Sequence, residues 1–279
     1  MNQTPVATTP DTQPRAHCTA DTDGRITFHV PALEEQDRES AQLLVRLRPK
    51  KGQPEQTSHV LPVEAADDDG GGRAVLEPQP ALPEGRWDVY LLPEPGSPRI
   101  RLRPGMRDLR ALVDGQTRDR LSPVAVRVPY TTKDGYLAIR TWLRTAHAEV
   151  EGIEVTDRTM TVKARLHGDT LSAGAVVRLR ARGSNGPVRT RQPQVDGDGR
   201  RFSFTADLDE LTAEGSRVWD VSVRPRPAEG TPFIRIGRLL DDVADRKEIF
   251  VYPAATVGGL TVRPYYTVDN DLSVEVTSP

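Results

Sequence analysis

The chain has 279 residues, a length typical of two domains, and its formal net charge of −2 leaves no basic excess for neutralising the phosphates of a nucleic acid. Hydrophobic residues account for 36% of the sequence, which suits small β domains with one solvated face per sheet better than a large α/β enzyme. The single cysteine, Cys18, excludes an internal disulfide, so cysteine usage gives no support for secretion.

The first segment, residues 1–22, is rich in Thr, Pro and Asp and is predicted to be a disordered tail. It has no apolar core of the kind that a signal peptide requires, and no run in the sequence approaches the ~18 apolar residues of a transmembrane helix. We therefore expect a cytoplasmic protein whose contact with a membrane, where it has one, is peripheral and made through a partner.

Short segments with a period of two follow in both halves of the chain. They include "GRITFHV" from Gly24, "QLLVRLRP" from Gln42, "TMTVKARL" from Thr159 and "AVVRLRARG" from Ala175, which are rich in Val, Ile, Leu or Thr. About seven such strands in each half, with no long helical pattern, are typical of a β-sandwich. The pattern therefore predicts an all-β fold of two tandem immunoglobulin-like β-sandwich domains.

Repeated blocks indicate how the domains are arranged. The tripeptide Trp-Asp-Val occurs at positions 87–89 and again at 219–221, and "VRVPYTTKDGYLAIRT" from Val126 resembles "VRPYYTVDNDLSVEVT" from Val262. Because the order of the blocks is preserved, we predict one domain at residues 23–148 and an internal repeat of it at 149–279. Within each copy the tryptophan is predicted to fill the core, and the aspartate to point to the other face of its strand or to bond turn backbone.

The chain contains no recognisable motif for catalysis or for a nucleotide cofactor, and its five histidines are not spaced as zinc ligands. Two acidic stretches could offer carboxylates to a cation. "DDDGGG" at 67–72 is interpreted as a loop tip, and "DGDG" at 196–199 as a hairpin turn, because it lacks the later glutamate of a calcium loop. We therefore predict no catalytic residue, no cofactor and no metal site. A Ser-His-Asp triad whose members are brought together by the fold is left as an alternative.

The candidate binding residues lie on the last strand of the first copy. Alternation buries Leu137 and Ile139, so that Tyr136, Arg140 and Trp142 are predicted to face outward. An exposed tryptophan beside an arginine could stack on a sugar ring or dock a protein. The alternative is that Trp142 packs in the seam between the two domains, because the linker follows it directly.

The blocks "GRWDVYL", "VWDVSV" and "VRPYYTVDNDLSVEV" resemble β-sandwich modules that accompany actinobacterial cell-wall glycosyltransferases and glycerophosphotransferases. Those enzymes carry a separate nucleotide-sugar or nucleotide-alditol catalytic domain, for which this chain has no room. The resemblance therefore implies an accessory or stand-alone relative of the module, and no catalytic residue is carried over.

Three functional hypotheses follow. In the first, the chain is a non-catalytic binding or scaffolding protein that recruits a partner enzyme, such as a glycosyltransferase, or a polymer in cell-envelope synthesis. In the second, it is a carbohydrate-binding module with an aromatic platform or a polar groove. In the third, it is an unfamiliar transferase or hydrolase with a site between the domains. The strand edges also permit a homo-oligomer.

Overall fold

The computed structural model describes residues 13–31, 33, 40–55, 57–66, 71–114 and 119–278, and within them the protein is all-β. The described residues include two single-turn helices, α1 (Arg110–Asp114) and α2 (Leu208–Thr212), which lie between strands. No helix in this part of the chain is long and apolar enough to cross a membrane. The predicted all-β class is confirmed.

The strands of the first half are short, and some of them, such as Arg15–Ala20 and Gly72–Leu76, alternate between buried and more exposed residues as the period of two predicts, whereas others, such as Leu137–Arg144, are buried on both faces. They are β1 (Arg15–Ala20), β2 (Ile26–Val30), β3 (Gln42–Leu47), β4 (Ser58–Pro62), β5 (Glu64–Ala65), β6 (Gly72–Leu76), β7 (Gly85–Leu92), β8 (Ile100–Arg101), β9 (Arg103–Asp108), β10 (Val124–Thr131) and β11 (Leu137–Arg144).

The second half alternates more regularly, with a buried residue at every second position along most of Thr159–His167 and Arg201–Asp207. Its strands are β12 (His147–Val155), β13 (Thr159–His167), β14 (Val176–Ala181), β15 (Val188–Arg191), β16 (Gln194–Val195), β17 (Arg201–Asp207), β18 (Arg217–Arg224), β19 (Ile234–Gly237), β20 (Ala255–Val257), β21 (Leu260–Tyr266) and β22 (Leu272–Thr277).

The order of strand pairing in the first half recurs in the second. The first half has one sheet ordered β5-β6-β2-β1-β9 and another ordered β10-β11-β7-β3-β4, with β8 also paired to β7. The second half has β16-β17-β13-β12-β19 and, continuing through β19, β18-β22-β21-β20, with β14 paired to β18 and β15. The parallel pairing of β1 with β9 matches that of β12 with β19. Each half therefore repeats the same connectivity.

Contacts divide the chain into two compact units that do not follow the repeat strictly. One unit groups the residues up to Pro80 with Gly85–Ala111 and Pro129–Thr141. The other groups Ala81–Glu84 and Leu112–Val128 with Trp142–Pro279. The border predicted at residues 148 and 149 lies at the start of β12, the strand that begins the second round of pairing.

The repeated tryptophans are core residues, as predicted. Trp87 and Trp219 are fully buried, and the next two residues on the same face of each strand are buried with them. The Trp87 indole nitrogen donates to the hydroxyl of Thr141 at 3.1 Å. In the second unit, Trp219 belongs to a core drawn from both sets of strands, including β13, β14, β17, β18 and β22.

The aspartates of the repeated tripeptide point to the opposite face, where each one binds an arginine rather than turn backbone. Arg48 donates from Nε and Nη2 to Asp88 Oδ1 at 2.9 and 2.6 Å. Arg182 donates in the same way to Asp220 Oδ1 at 3.0 and 2.8 Å. The arginine follows β3 in one half and β14 in the other, so the pair is part of the repeated scaffold.

The predicted N-terminal tail is wrong for its last residues. Residues 15–20 form β1, which pairs with β2 and β9, and its alternate side chains Ala16, Cys18 and Ala20 are buried. These side chains are small, so the strand resembles a polar linker in sequence even though each one fills a core position. Residues 1–12 of the predicted tail lie outside the described residues.

Of the two acidic stretches, one lies mostly outside the described residues and the other lies within them. Asp67–Gly70 lie outside the described residues. Asp198 closes the turn between β16 and β17 by accepting from the backbone N–H groups of Arg200 and Arg201, and Gly199 adopts φ +67°, so the predicted hairpin turn is confirmed. In the part of the chain that the structure describes, no group of three His, Cys, Asp or Glu residues is placed to hold a metal ion.

Candidate binding site

The predicted aromatic face on β11 is not exposed. Trp142 is 1% exposed, and its indole nitrogen donates to the backbone carbonyl of Asp269 at 3.2 Å. Arg140 is also buried. The prediction that these two side chains face solvent is therefore wrong, because alternation assigns a side chain to a face of a strand but does not show what covers that face.

Tyr136 is half-buried and already engaged within the first unit. Its ring lies beneath two guanidinium groups, with Arg101 Cζ 3.9 Å and Arg103 Cζ 4.4 Å from the ring centroid. Its hydroxyl accepts from Gln13 Nε2 at 3.4 Å. Both contacts fix the ring against the protein. Of the three predicted binding residues, none presents a free aromatic face.

The ionisable groups of the second unit that are most buried serve the fold. His147 Nε2 lies 2.7 Å from Glu149 Oε2, and the same carboxylate accepts from the backbone N–H groups of Leu239 and Leu240 at 2.7 and 3.2 Å. His147 and Glu149 are 0% and 5% exposed, so a substrate cannot reach them. This pair holds the chain after β19 against β12.

His167 lies opposite His147 in the pairing of β12 with β13 and is also buried. Burial, together with the neighbouring His147 and Arg165, lowers its pKa to about 4. The ring is therefore neutral at physiological pH and has no access to solvent. It is part of the interior of the second unit rather than of a surface site.

A buried arginine organises the segment that follows. Arg246 is fully buried, donates from Nε to the backbone carbonyl of Arg238 at 2.6 Å and forms an ion pair with Asp241. Its backbone N–H donates to Asn270 Oδ1 at 3.2 Å, and Asn270 adopts φ +60°. These contacts join the long loop after β19 to the turn between β21 and β22.

The residues after Arg246 form an aromatic segment, Lys247–Tyr252, that packs on β21. The Phe250 ring meets the ring of Tyr266 edge-on at 5.9 Å, and the Tyr252 hydroxyl lies 3.1 Å from that of Tyr266. The residues on either side of Phe250 face outward: Ile249 and Val251 are 64% and 72% exposed. The aromatic segment is therefore fixed at both ends while it presents apolar side chains to solvent.

A cleft of about 140 Å³ opens between the aromatic segment and the strands β21 and β22. Aromatic side chains from both sides meet there, together with ionisable groups at the rim. The lining residues are Lys247, Phe250, Val251, Tyr252, Arg263, Pro264, Tyr265 and Glu275. The volume is below the usual range for a small-molecule pocket, so the cleft suits one ring or one side chain of a larger ligand.

The rim of the cleft carries donors and acceptors of both signs. Arg263 donates to Glu275 Oε2 at 3.3 Å, across the pairing of β21 with β22. Burial raises the pKa of Tyr265, although the neighbouring Arg182 opposes this shift. The Tyr265 hydroxyl is therefore protonated at neutral pH and can donate a hydrogen bond. The arrangement can hold an amphipathic ring by stacking and orient it by hydrogen bonds.

A second cleft in the same unit is larger but chemically poorer. It has a volume of about 310 Å³ and lies between the loop at 171–175 and the hairpin at 192–199. Asp196 is the one ionisable residue among its lining side chains, and none of them is aromatic. A ligand in this second cleft would contact mainly backbone groups and small side chains. The aromatic cleft is therefore the stronger candidate for a binding site.

Sequence reasoning missed the aromatic cleft because its residues lie in a loop with no periodicity. The available signal was local density: four aromatic residues fall between positions 250 and 266 in a chain with 5% aromatic residues. The tyrosine that the two repeated blocks share is structural, since Tyr130 and Tyr266 are both buried. The adjacent Tyr265, on the other face of β21, is the one that reaches the cleft.

The fold and the cleft define a β-sheet protein with a small aromatic surface site. No protein-family model matches the sequence, and no curated protein matches it. Among solved structures, a crystal structure of S. aureus TarS is similar with 14% identity and a TM-score of 0.38, covering 58% of this chain and 29% of that one. A crystal structure of S. aureus TarS 217-571 has 13% identity and a TM-score of 0.38, covering 69% and 44%. The chain thus spans less than half the length of either.

Proposed function

We propose that this protein is a non-catalytic binding protein made of two tandem immunoglobulin-like β-sandwich repeats, and that the aromatic cleft of the second unit binds one sugar ring of a polymer. The observation that carries the proposal is the meeting of Phe250, Tyr252 and Tyr265 in one solvent-accessible cleft with an Arg–Glu pair at its rim. A setting in cell-envelope polymer synthesis follows from the sequence resemblance alone.

The repeated connectivity supports the immunoglobulin-like part of the proposal. In each half, the first, second, fifth and sixth strands pair with one another and a second group pairs around the third and seventh strands; in the second half β19 joins the two groups. Each half also buries one tryptophan on the seventh strand, where a sandwich needs a large core side chain. The predicted domain bounds, 23–148 and 149–279, belong to this proposal.

The chemistry of the cleft supports a sugar ligand. A pyranose ring has an apolar face of C–H groups that packs on an aromatic ring, and hydroxyls at its edge that need donors and acceptors. The cleft supplies tyrosine rings at its wall and the side chains of Lys247, Arg263 and Glu275 at its rim. The size limits recognition to one ring, which fits a polymer held at several points better than a free sugar.

The test is binding of the full chain to an array of immobilised glycans, comparing wild type with Tyr265→Ala and Tyr252→Ala. We expect at least one glycan to be retained by the wild type and about tenfold weaker binding by Tyr265→Ala, which corresponds to about 1.4 kcal/mol. Tyr252→Ala also removes a contact to Tyr266, so it needs a check of folding by circular dichroism.

Tyr136→Ala is the matched control, because it removes a half-buried tyrosine from the first unit and leaves the cleft untouched. It should bind every glycan as the wild type does. Equal loss in the control and in Tyr265→Ala, or wild-type affinity of Tyr265→Ala for every retained glycan, would rule out the cleft as the sugar site.

A protein partner is the second candidate, and the exposed apolar residues favour it. Ile249 and Val251 project from a segment that is fixed by Arg246, as in a preformed anchor for a partner's surface. The partner expected from the sequence is an enzyme of polymer synthesis. Affinity capture by wild type and by Val251→Asp, with mass spectrometry, tests this: a partner captured equally by both would exclude the segment as the contact.

A further inference from the structure

A cluster of arginines lies on the outward face of the sheet that contains β14, β18 and β19. Arg178 and Arg180 are two residues apart on β14 and therefore share a face, and Arg178 pairs with Ser222 of β18. Arg224 follows two residues later on β18, and Phe233 precedes β19 directly opposite it. These four side chains, Arg178, Arg180, Arg224 and Phe233, are called the arginine cluster below.

The arginines of the cluster differ from their neighbours in having no carboxylate partner among the described residues. Arg182, at the end of the same strand, is paired with Asp220 at 2.8 Å. Arg235, on β19, is paired with Asp271 at 2.5 Å. By contrast, none of the ion pairs formed within the described ranges includes Arg178, Arg180 or Arg224. Three positive charges thus lie together without an ion pair of their own, and the carboxylate opposite Arg180, Asp220, is engaged by Arg182.

Phe233 holds two of these guanidinium groups in place. Arg178 Cζ lies 3.6 Å from the centroid of the Phe233 ring, and Arg224 Cζ lies 5.3 Å from it. The Nε atoms of both arginines are buried and have no hydrogen-bond partner in the structure. The guanidinium groups are therefore oriented by stacking, while their hydrogen-bonding capacity is unused.

The positive charges of the three arginines repel one another. Burial lowers the pKa of Arg178, and the charges of Arg180 and Arg224 lower it further. Like charges at this spacing destabilise a sheet surface, so the fold alone gives no reason to place them together. An anion bound between them would remove the repulsion and supply the missing acceptors.

The first half provides an internal comparison, because its strands pair in the same register. Trp87 pairs with Leu47 as Trp219 pairs with Ala181, so Arg178 and Arg224 correspond to Leu44 and Leu92. Ser222 between them corresponds to Tyr90, and these three residues of the first half form a small apolar cluster. The same scaffold is therefore built with leucines at these positions, and the arginines are not required by the fold.

We infer that the arginine cluster of the second unit is a binding site for a phosphate group. A planar guanidinium donates two parallel hydrogen bonds to a phosphate, and two or three such groups fixed around one point give both charge and orientation. The inference does not depend on the aromatic cleft. The two sites do share one sheet face, since Tyr265, Ser273, Asp220 and Arg180 pair in one row across four strands. That row spans roughly 14 Å.

The experiment is isothermal titration calorimetry of the full chain with inorganic pyrophosphate at constant ionic strength. The variants are Arg178→Leu and Arg224→Leu, singly and together, which place the residues of the first half on the second. We expect the wild type to bind pyrophosphate and each single variant to bind about tenfold more weakly, the equivalent of about 1.4 kcal/mol. Arg201→Leu is the control, because it removes an exposed arginine that is already paired with Glu151.

A second arm separates the sources of the phosphate. Vesicles of phosphatidylglycerol and phosphatidylcholine are sedimented with wild type and with the double leucine variant. Retention of the wild type alone would assign the cluster to lipid headgroups, and pyrophosphate binding without retention would assign it to a soluble phosphate. Unchanged pyrophosphate affinity in the double variant, or no binding by the wild type in either arm, would overturn the inference. Tyr265→Ala should leave both arms unchanged, which separates this site from the cleft.

Discussion

Replacing Arg246 with Met is expected to loosen the aromatic segment and to destabilise the second unit by about 3 kcal/mol. The guanidinium is fully buried and bridges Asp241 and the backbone carbonyl of Arg238. Methionine fills a similar volume without the charge, so the loss comes from the broken contacts rather than from a cavity. Asp241, which is 5% exposed, is left with one fewer charged partner.

The magnitude follows from what remains around Asp241. Breaking a buried pair by removing one partner typically costs 3–5 kcal/mol, because the other charge stays buried. Here Arg238 Nε still donates to Asp241 Oδ2 at 3.2 Å, and the N–H of Val243 donates to Oδ1 at 2.9 Å. These contacts compensate part of the charge, so the lower end of the range applies.

Hydrogen exchange measured by mass spectrometry reports on the two units separately. Arg246→Met should lower the protection of β21 and β22 by about a hundredfold, since each 1.4 kcal/mol is a factor of ten, and leave β3 in the first unit unchanged. Protection of β21 and β22 within tenfold of the wild type would refute the argument that Arg246 anchors this region.

Two further variants make the result specific. Asp241→Asn combined with Arg246→Met removes the buried charge that is left only partly compensated, so it should recover part of the lost protection. Arg201→Met removes an exposed, paired arginine from β17 and should leave the protection of β21 and β22 as in the wild type. A double variant that is less protected than Arg246→Met alone would mean that the charge on Asp241 is not the source of the cost.

Three other predictions concern stability and reactivity. Because the pKa of His167 is lowered from 6.5 to about 4 in the folded protein, the unfolded chain binds the proton more tightly. The free energy of unfolding should therefore fall by up to roughly 3 kcal/mol as the pH drops from 6.5 to 4. Urea titrations of His167→Gln should show a smaller dependence of this free energy on pH. Trp87→Ala and Trp219→Ala should each cost about 3–5 kcal/mol, seen as lost protection in the unit that holds the residue; a loss shared equally by both units contradicts this. Burial raises the pKa of the Cys18 thiol to about 12, so it should react with a disulfide reagent far more slowly in the folded protein than in urea, and equal rates would show that β1 is open.

The local pattern of the sequence was enough to predict the strands and their repetition. Alternation at Thr159–His167 predicts a strand with one buried face, which is observed, and the strand predicted at Gln42–Leu47 is also observed, although Leu43, Leu44 and Val45 are all buried there. The recurrence of Trp-Asp-Val predicts two equivalent core tryptophans, and Trp87 and Trp219 occupy the same place in the pairing of β7 and β18. These features depend on neighbouring residues and on a period of two, which are written directly in the sequence.

What covers an outward face depends on segments that are distant in the chain. Alternation places Trp142 on the outward face of its strand, but Asp269, 127 positions later, accepts its hydrogen bond and the ring is buried. Conversely, Tyr265 gained a role because the loop that carries Phe250 packs against β21. The sequence of that loop has no periodicity that would predict its place. The buried contacts of Arg246, rather than strand pairing, set its position.

The sequence by itself therefore determined the all-β class, the repeated strands and the tryptophan cores, because these follow from short-range alternation and from repetition. The tertiary structure decided where a ligand could bind. It buried Trp142 and Arg140, assembled the aromatic cleft from a loop and two strands, and placed Arg178 and Arg224 around Phe233. Each of these sites joins residues far apart in the chain, and such proximity is fixed by strand register and loop packing rather than by local sequence.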